Sequence, residues 1–252
     1  MRIAVYSANI GNYRNELASI NDITCVPGTD YYFFTDANIT STKWKVIKVG
    51  LRQPTKWLDA ERNTAKYYKW VIPKILRTYD VVVWMDSKVT RKLLKIWSRD
   101  VGTYIDNIST LVKSNPQSDL FLWKHPSRTH ARQELSLTMK TKKENKGPGE
   151  HLMSLVKLKQ FKVALPDTCV MITRTTEKSL SALAKVYVNL LAIGVSRDQN
   201  IIQYSLDITG MDSRTQMFND RTTLFPPRPR VEKVRKEIHV NKKGIGINKN
   251  RR

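Results

Sequence analysis

Asp86 directly ends the apolar run Val81–Met85, and Ser87 and Lys88 follow it. A carboxylate in that position can hold a divalent metal that also grips a diphosphate. An ammonium two residues on, at Lys88, can contact phosphate. His125, with Pro126, Ser127 and Arg128 behind it, follows a second apolar run. Its imidazole can share a metal with Asp86, and Arg128 can bind a phosphate or a sugar carboxylate. Glu134 and Asp198 are carboxylates suited to act as general base on an acceptor hydroxyl. Arg62 and Lys66 stand four apart on one helical face and can stabilise phosphate, and Arg197 stands free for substrate contact. Each residue also has a plainer explanation. A strand-ending Asp caps a turn, Pro126 imposes one, a lone Glu is solvated, and paired basic residues line a surface.

The elements that must position these residues read as alternating strands and helices, an α/β pattern. Strands are predicted at Ile3–Ser7, Tyr31–Phe34, Trp44–Val49, Val81–Met85, Leu120–Trp123 and Cys169–Ile172. A helix is predicted after Asp59 as N-cap, running towards Pro73. Spacings of three and four predict another over Glu177–Ile193. Ser196-Arg197-Asp198-Gln199 reads as a capping box opening a third helix through Ile201, Ile202 and Leu206. The Lys-rich stretch 140–162, with Gly147-Pro148-Gly149, reads as a mobile loop or partly helical insertion. Ligands of open α/β sheets bind beyond the carboxyl ends of the strands. That rule gathers Ala8, Asn9, Gly11, Tyr13, Asp36, Asp86 and His125 into one candidate site. Most tryptophans lie in apolar runs, and core packing is the expectation for them.

Composition narrows the class. The chain has 252 residues with 44 Lys+Arg against 22 Asp+Glu, a formal charge of +22. Such a surplus points to an anionic partner without choosing among nucleic acid, lipid, nucleotide and glycan. Eight of those charges fall in residues 226–252, a Pro-, Lys- and Arg-rich stretch that reads as a solvated extension. Two cysteines exclude a disulfide-dense scaffold and a zinc finger. No apolar run approaches the roughly 18 residues of a membrane span. Met1–Tyr6 reads as a strand rather than a signal peptide, so the cytoplasm is the expected compartment, with peripheral membrane contact through the basic tail. There is no G-x-G-x-x-G, no G-x-x-x-x-G-K-[ST] and no G-x-S-x-G, which argues against a dinucleotide fingerprint, a P-loop NTPase and a serine hydrolase.

Taken in order, the motifs resemble one family. They are Tyr6…Gly11-Asn12-Tyr13, Phe34-Thr35-Asp36, Asp59-Ala60-Glu61-Arg62-Asn63…Lys66, Val83-Trp84-Met85-Asp86-Ser87-Lys88, His125-Pro126-Ser127-Arg128…Glu134, Leu165-Pro166-Asp167-Thr168-Cys169-Val170 and Ser196-Arg197-Asp198-Gln199. The chain resembles, over about residues 3 to 208, the plant mucilage-related and bacterial glycosyltransferase-like family long catalogued as domain of unknown function 616. The family pattern around the strand-ending acid resembles W-I-D-x-K, so Asp86 and Lys88 fit it without the second carboxylate of the usual Asp-x-Asp.

The resemblance implies a GT-A-like (Rossmann-like) domain over 1–225: a mixed, mostly parallel sheet flanked by helices, with 226–252 as extension. It implies a nucleotide-sugar donor, a glycan or glycoconjugate acceptor, and Mn²⁺ or Mg²⁺ bound by Asp86 and His125. In that picture Asn9, Gly11, Tyr13 and Asp36 surround the nucleoside. His125, Arg128, Glu134 and Asp198 face sugar and acceptor. The charge leaves a basic nucleic-acid-binding protein as the alternative, disfavoured because no binding motif appears. A glycan hydrolase ranks last, because no two acids pair convincingly.

Overall fold

The computed structural model describes residues 1–21, 25–87 and 101–219, without the side chains of 19 and 101–106. Lys88 and the extension 226–252 lie outside the described residues, as does the boundary expected at 225. Seven strands form one sheet: β1 (Ile3–Ala8), β2 (Thr29–Thr35), β3 (Lys45–Lys48), β4 (Val81–Met85), β5 (Leu120–Lys124), β6 (Pro166–Arg174) and β7 (Thr215–Phe218). Their order is β3-β2-β1-β4-β6-β5-β7. All neighbouring pairs are parallel except those of β6, which runs against both β4 and β5. The helices are α1 (Ala60–Trp70), α2 (Val101–Ser114), α3 (Ala131–Lys140), α4 (Lys146–Val156), α5 (Glu177–Ile193) and α6 (Asp198–Ile208). The expected architecture, a mixed and mostly parallel sheet flanked by helices, is therefore observed.

The strands alternate between two cores, as the two-residue period of a pleated strand requires. Tyr6, Phe34, Val82, Trp84 and Leu122 face one side, against α1, α5 and α6. Val5, Phe33, Val83, Met85, Phe121 and Ile172 face the other, against Ile108 and Val112 of α2. With both faces covered, β1, β2, β4 and β5 read as continuous apolar runs rather than alternating ones. Four of the tryptophans, Trp44, Trp70, Trp84 and Trp123, are core residues as expected; Trp97 lies outside the described residues.

The predicted strands and the helices at Asp59 and Glu177 are present with ends shifted by at most three residues. Asp59 caps α1 by accepting from the Arg62 N–H at 2.7 Å. The chain leaves α1 in extended conformation at Val71, two residues before Pro73, which cannot continue a helix.

Three elements were not predicted: α2, α3 and β7. Of the two readings of 140–162, the partly helical one is observed: the stretch is built around α4. Pro148 sits in that helix's first turn, where a missing N–H costs nothing. Among the described residues no helix is long and apolar enough to cross a membrane.

The topology fixes where a ligand can sit. From β1 the chain moves outward to β2 and β3, then α1 returns it across the sheet to β4 on the other side of β1. The carboxyl ends of β1 and β4 are thus a switch point of the kind where open α/β sheets hold ligands. Because β6 is antiparallel, its first residues lie at that same edge, and the Asp86 N–H donates to the Cys169 carbonyl at 2.8 Å.

Gly194 ends α5 in the left-handed region at φ 83°. A Cβ there would also run into the Trp57 indole. Gly194→Ala is expected to cost about 1–3 kcal/mol in urea denaturation. Gly50→Ala, which meets no atom within 4 Å, should stay within about 0.5 kcal/mol. Equal effects of the two would refute the assignment.

Candidate functional site

A cavity of about 590 Å³ opens at the switch point. Of the residues expected there, Ala8, Asn9, Gly11, Tyr13, Arg62, Lys66, Asp86, Arg197 and Asp198 line it. Asp36, His125, Arg128 and Glu134 do not.

The loop after β1 forms one wall. Asn9 is buried, and its Nδ2 donates to the Tyr13 carbonyl at 3.1 Å and to Glu16 Oε2 at 3.2 Å. Ser87 also donates to that Glu16 carboxylate, tying the loop to the end of β4. Among the described residues, Asn9 Oδ1 is buried without a hydrogen-bond partner. Gly11, Asn12, Arg14 and Asn15 all have left-handed backbone, φ from 46° to 66°. For the non-glycine residues that conformation costs on the order of 1 kcal/mol each, a form of strain that concentrates at binding loops. Asp36 does not face the cavity. Its Oδ1 accepts from the Gly11 N–H at 2.9 Å and so fixes the loop from behind.

The floor is a buried charge network fed by one face of α1. Arg62, Lys66 and Lys69 occupy positions i, i+4 and i+7, and their side-chain exposure falls from 68% to 22% to 7%. Lys66 Nζ pairs with Asp198 Oδ1 at 2.7 Å. Lys69 Nζ reaches Asp198 Oδ2 at 2.7 Å, Asp86 Oδ1 at 3.2 Å and Thr168 Oγ at 3.1 Å. Those three acceptors use the three N–H bonds of the ammonium. Thr168 in turn donates to Asp198 Oδ2 at 3.3 Å, and Trp84 Nε1 donates to Asp86 Oδ1 at 2.9 Å. Burial works against the Lys69 charge, but Asp198 and Asp86 outweigh it and its pKa is raised. Burial likewise favours the neutral acid of Asp198, yet Lys66 and Lys69 together hold its carboxyl well below the usual carboxylate range.

Beside the cavity stands a second cluster. Glu134 on α3 is buried at 1% exposure. It pairs with Arg128 and, at 3.6 Å, with Arg197. It is not a solvated side chain, and it stands behind the arginines rather than facing an acceptor. His125 Nδ1 accepts from the Ser127 and Arg128 N–H groups at 3.1 and 3.2 Å, and its Nε2 lies 2.8 Å from Arg128 Nη2. Burial, then the Arg128 charge, lowers its pKa.

No protein-family model and no curated protein matches the chain. Among solved structures, the apo form of the bifunctional glycosyltransferase WbbM is similar at 11% identity and a TM-score of 0.44 over 86% of this chain. The chain spans 38% of the length of that WbbM chain. The apo form of mouse xyloside xylosyltransferase 1 is similar at 9% identity and a TM-score of 0.43, over 87% of this chain and 85% of that one. Both likenesses are too distant to transfer a function.

The residues present do not fit the expected Asp86–His125 metal site. His125 turns its ring into its own loop, outside the cavity. Among the described residues no group of three or more His, Cys, Asp or Glu is arranged to hold an ion. Asp86 Oδ1 is already met by an ammonium and an indole N–H.

The start of α6 also differs from the capping box. The N-cap is Arg197, without a side-chain cap. Its role is filled by Glu144, which precedes Asn145, the N-cap of α4. Glu144 Oε1 accepts from the Ser196 N–H at 2.8 Å and the Ser196 hydroxyl at 2.9 Å. Its Oε2 accepts from the Arg197 N–H at 3.1 Å and Asn200 Nδ2 at 2.8 Å. A carboxylate at a helix N-terminus is favoured by both the orphan N–H groups and the dipole. Gln199 instead accepts from Arg197 Nη2 at 3.2 Å.

Sequence reasoning missed Lys69, Thr168 as a site residue, and Glu144. Lys69 was findable, since it extends the Arg62–Lys66 face by one turn. Glu144 carried no local signal.

Glu144→Ala should cost about 2–3 kcal/mol, because it strands several buried donors, whereas Gln199→Ala should cost under about 0.5 kcal/mol. Urea denaturation of the two variants checks this, and the reverse ranking would restore the capping box. Asp198 contributes stability that is complete above its unfolded pKa of about 4 and lost as pH falls towards its lower folded pKa. The stability gap between wild type and Asp198→Asn is therefore expected to be largest above about pH 5 and to shrink by pH 3. A gap that stayed constant across that range would contradict the ion pairs.

Proposed function

We propose that the cavity binds a nucleotide-sugar donor and transfers its sugar to a hydroxyl of a glycan or glycoconjugate acceptor. The observation that carries the reading is the graded face of Arg62, Lys66 and Lys69 beneath the switch-point cavity. Arg62 and Lys66 present cationic donors to a ligand whose charge is concentrated in a diphosphate, and Lys69 anchors the face from below through Asp86, Asp198 and Thr168. The strained Gly11–Asn15 loop and Asn9 Oδ1, which has no hydrogen-bond partner among the described residues, supply a wall and an acceptor for the nucleoside or sugar.

In this reading the bond from the anomeric carbon to the β-phosphate oxygen breaks, and its electron pair leaves with the nucleoside diphosphate. Arg62 and Lys66, with Arg197 across the cavity, stabilise the charge that develops there. The acceptor oxygen bonds the anomeric carbon and releases its proton. Asp198 is a poor taker for that proton, because two lysines hold it ionised with weak basicity. Glu134 stands outside the cavity and serves as a positioning residue for Arg128 and Arg197. A reaction with retention, in which the departing diphosphate takes the proton, requires neither. Residues 226–252, with their surplus of Lys and Arg, would contact an acidic acceptor or surface.

The test is thermal stability against UDP, GDP, ADP, CDP and dTDP and their sugar esters. One of them, at about a hundredfold excess over its Kd, should raise the Tm by roughly 5 °C or more. Arg62→Ala and Lys66→Ala should each weaken that ligand by about tenfold or more. No rise with any of them, together with tight salt-dependent binding to nucleic acid, would replace this reading with the nucleic-acid one.

A further inference from the structure

Resting on that reading, we infer that diphosphate binding in this cavity is independent of a divalent cation, because the Lys69 ammonium occupies the place between Asp86 and Asp198 that a metal would take. The two carboxylates at the switch point are the natural ligands for a metal there. Both are turned onto one ammonium, at 3.2 and 2.7 Å. The ammonium is 7% exposed at the side chain and has all three of its N–H bonds directed, to Asp86, Asp198 and Thr168. Lys66 neutralises the other oxygen of Asp198. Two carboxylates and two ammonium groups thus balance without an ion. A divalent cation brought to Asp86 would sit beside a fixed positive charge and would have to displace Lys69 from its three acceptors in a buried pocket.

The backbone also holds Lys69. The Tyr6 hydroxyl donates to the Lys69 carbonyl at 3.3 Å, and neighbouring Trp70 is fully buried. The ammonium lies 5.7 Å from the centroid of the Trp84 ring and 5.5 Å from that of Trp70, so aromatic faces as well as carboxylates stabilise it there. The positive charge a metal would bring to the leaving diphosphate is supplied from the open side of the cavity by Arg62, Arg14 and Arg197. The expected outcome is a site whose ligand affinity depends on ionic strength and not on Mn²⁺ or Mg²⁺.

Calorimetric titration of the full chain with the same nucleoside diphosphates, in EDTA and in Mn²⁺, separates this inference from the reading beneath it. Electron paramagnetic resonance of free Mn²⁺ mixed with the protein reports metal binding directly. We expect the Kd of the best ligand to agree within about twofold between the two buffers, and the free Mn²⁺ signal to be unchanged by wild-type protein. Lys69→Met should then release Asp86 and Asp198 and remove Mn²⁺ from the free signal. Should that variant not fold, the wild-type measurements decide alone. A wild-type affinity that rises tenfold or more with Mn²⁺, wild-type uptake of Mn²⁺, or a folded Lys69→Met that takes up none would overturn the inference; the first two leave the transferase reading standing. Absence of any nucleotide binding in both buffers would overturn both.

Discussion

A lysine carried into a protein interior must find its countercharge there, and at Lys69 this requirement organises the site. Removing an ammonium from water costs several kcal/mol unless geometry and hydrogen bonds return it. Asp86 from the end of β4, Asp198 from the start of α6 and Thr168 from the start of β6 converge on one nitrogen. Three elements far apart in sequence are thereby drawn to a single point. The ammonium depends on the carboxylates for its countercharge, so the network helps specify the relative placement of α1, α6 and the sheet edge as well as contributing charge.

The sheet makes this convergence feasible. With β6 reversed, its first residues rather than its last lie at the ligand edge, so Thr168 stands beside Asp86 although both occupy opposite ends of their strands in chain order. The return of the chain across the sheet through α1 places a helix over the carboxyl ends of β1 and β4, and its Arg62–Lys66–Lys69 face looks down on them. A fully parallel arrangement of the same strands would have sent Thr168 to the far edge and left Lys69 one acceptor short.

A second layer holds the first. Glu144 closes the N-terminus of α6 and thereby sets the height of Asp198, while Glu134 pins Arg197 from the side. Each is a buried acid, and each acts on the cavity through another residue. Gly149, where a Cβ would meet Met139 Sδ at 2.6 Å, lets α4 pack closely on α3 beside Glu144. The Lys-rich stretch 140–162, interrupted by Gly and Pro, supplies the carboxylate that caps α6.

The sequence by itself determined six of the seven strands, their order of appearance and the polar residues that follow them. Apolar runs bounded by polar residues are local signals, and burial on both faces makes those runs continuous. It also determined the cap at Asp59 and the cationic face of α1, whose spacing is set by the helical repeat alone. Only tertiary structure decided which of the strand-end residues meet. Asp36 and His125 follow strands as Asp86 does, yet Asp36 turns to the loop backbone and His125 to Arg128, because β2 and β5 flank the crevice rather than form it. Likewise the cap of α6 comes from Glu144, 53 residues before Arg197, and Asp86 meets an ammonium where local pattern suggested a metal. Partners at such separations are chosen by the free energy of burying charge in a finished fold, and no local period or spacing encodes that choice.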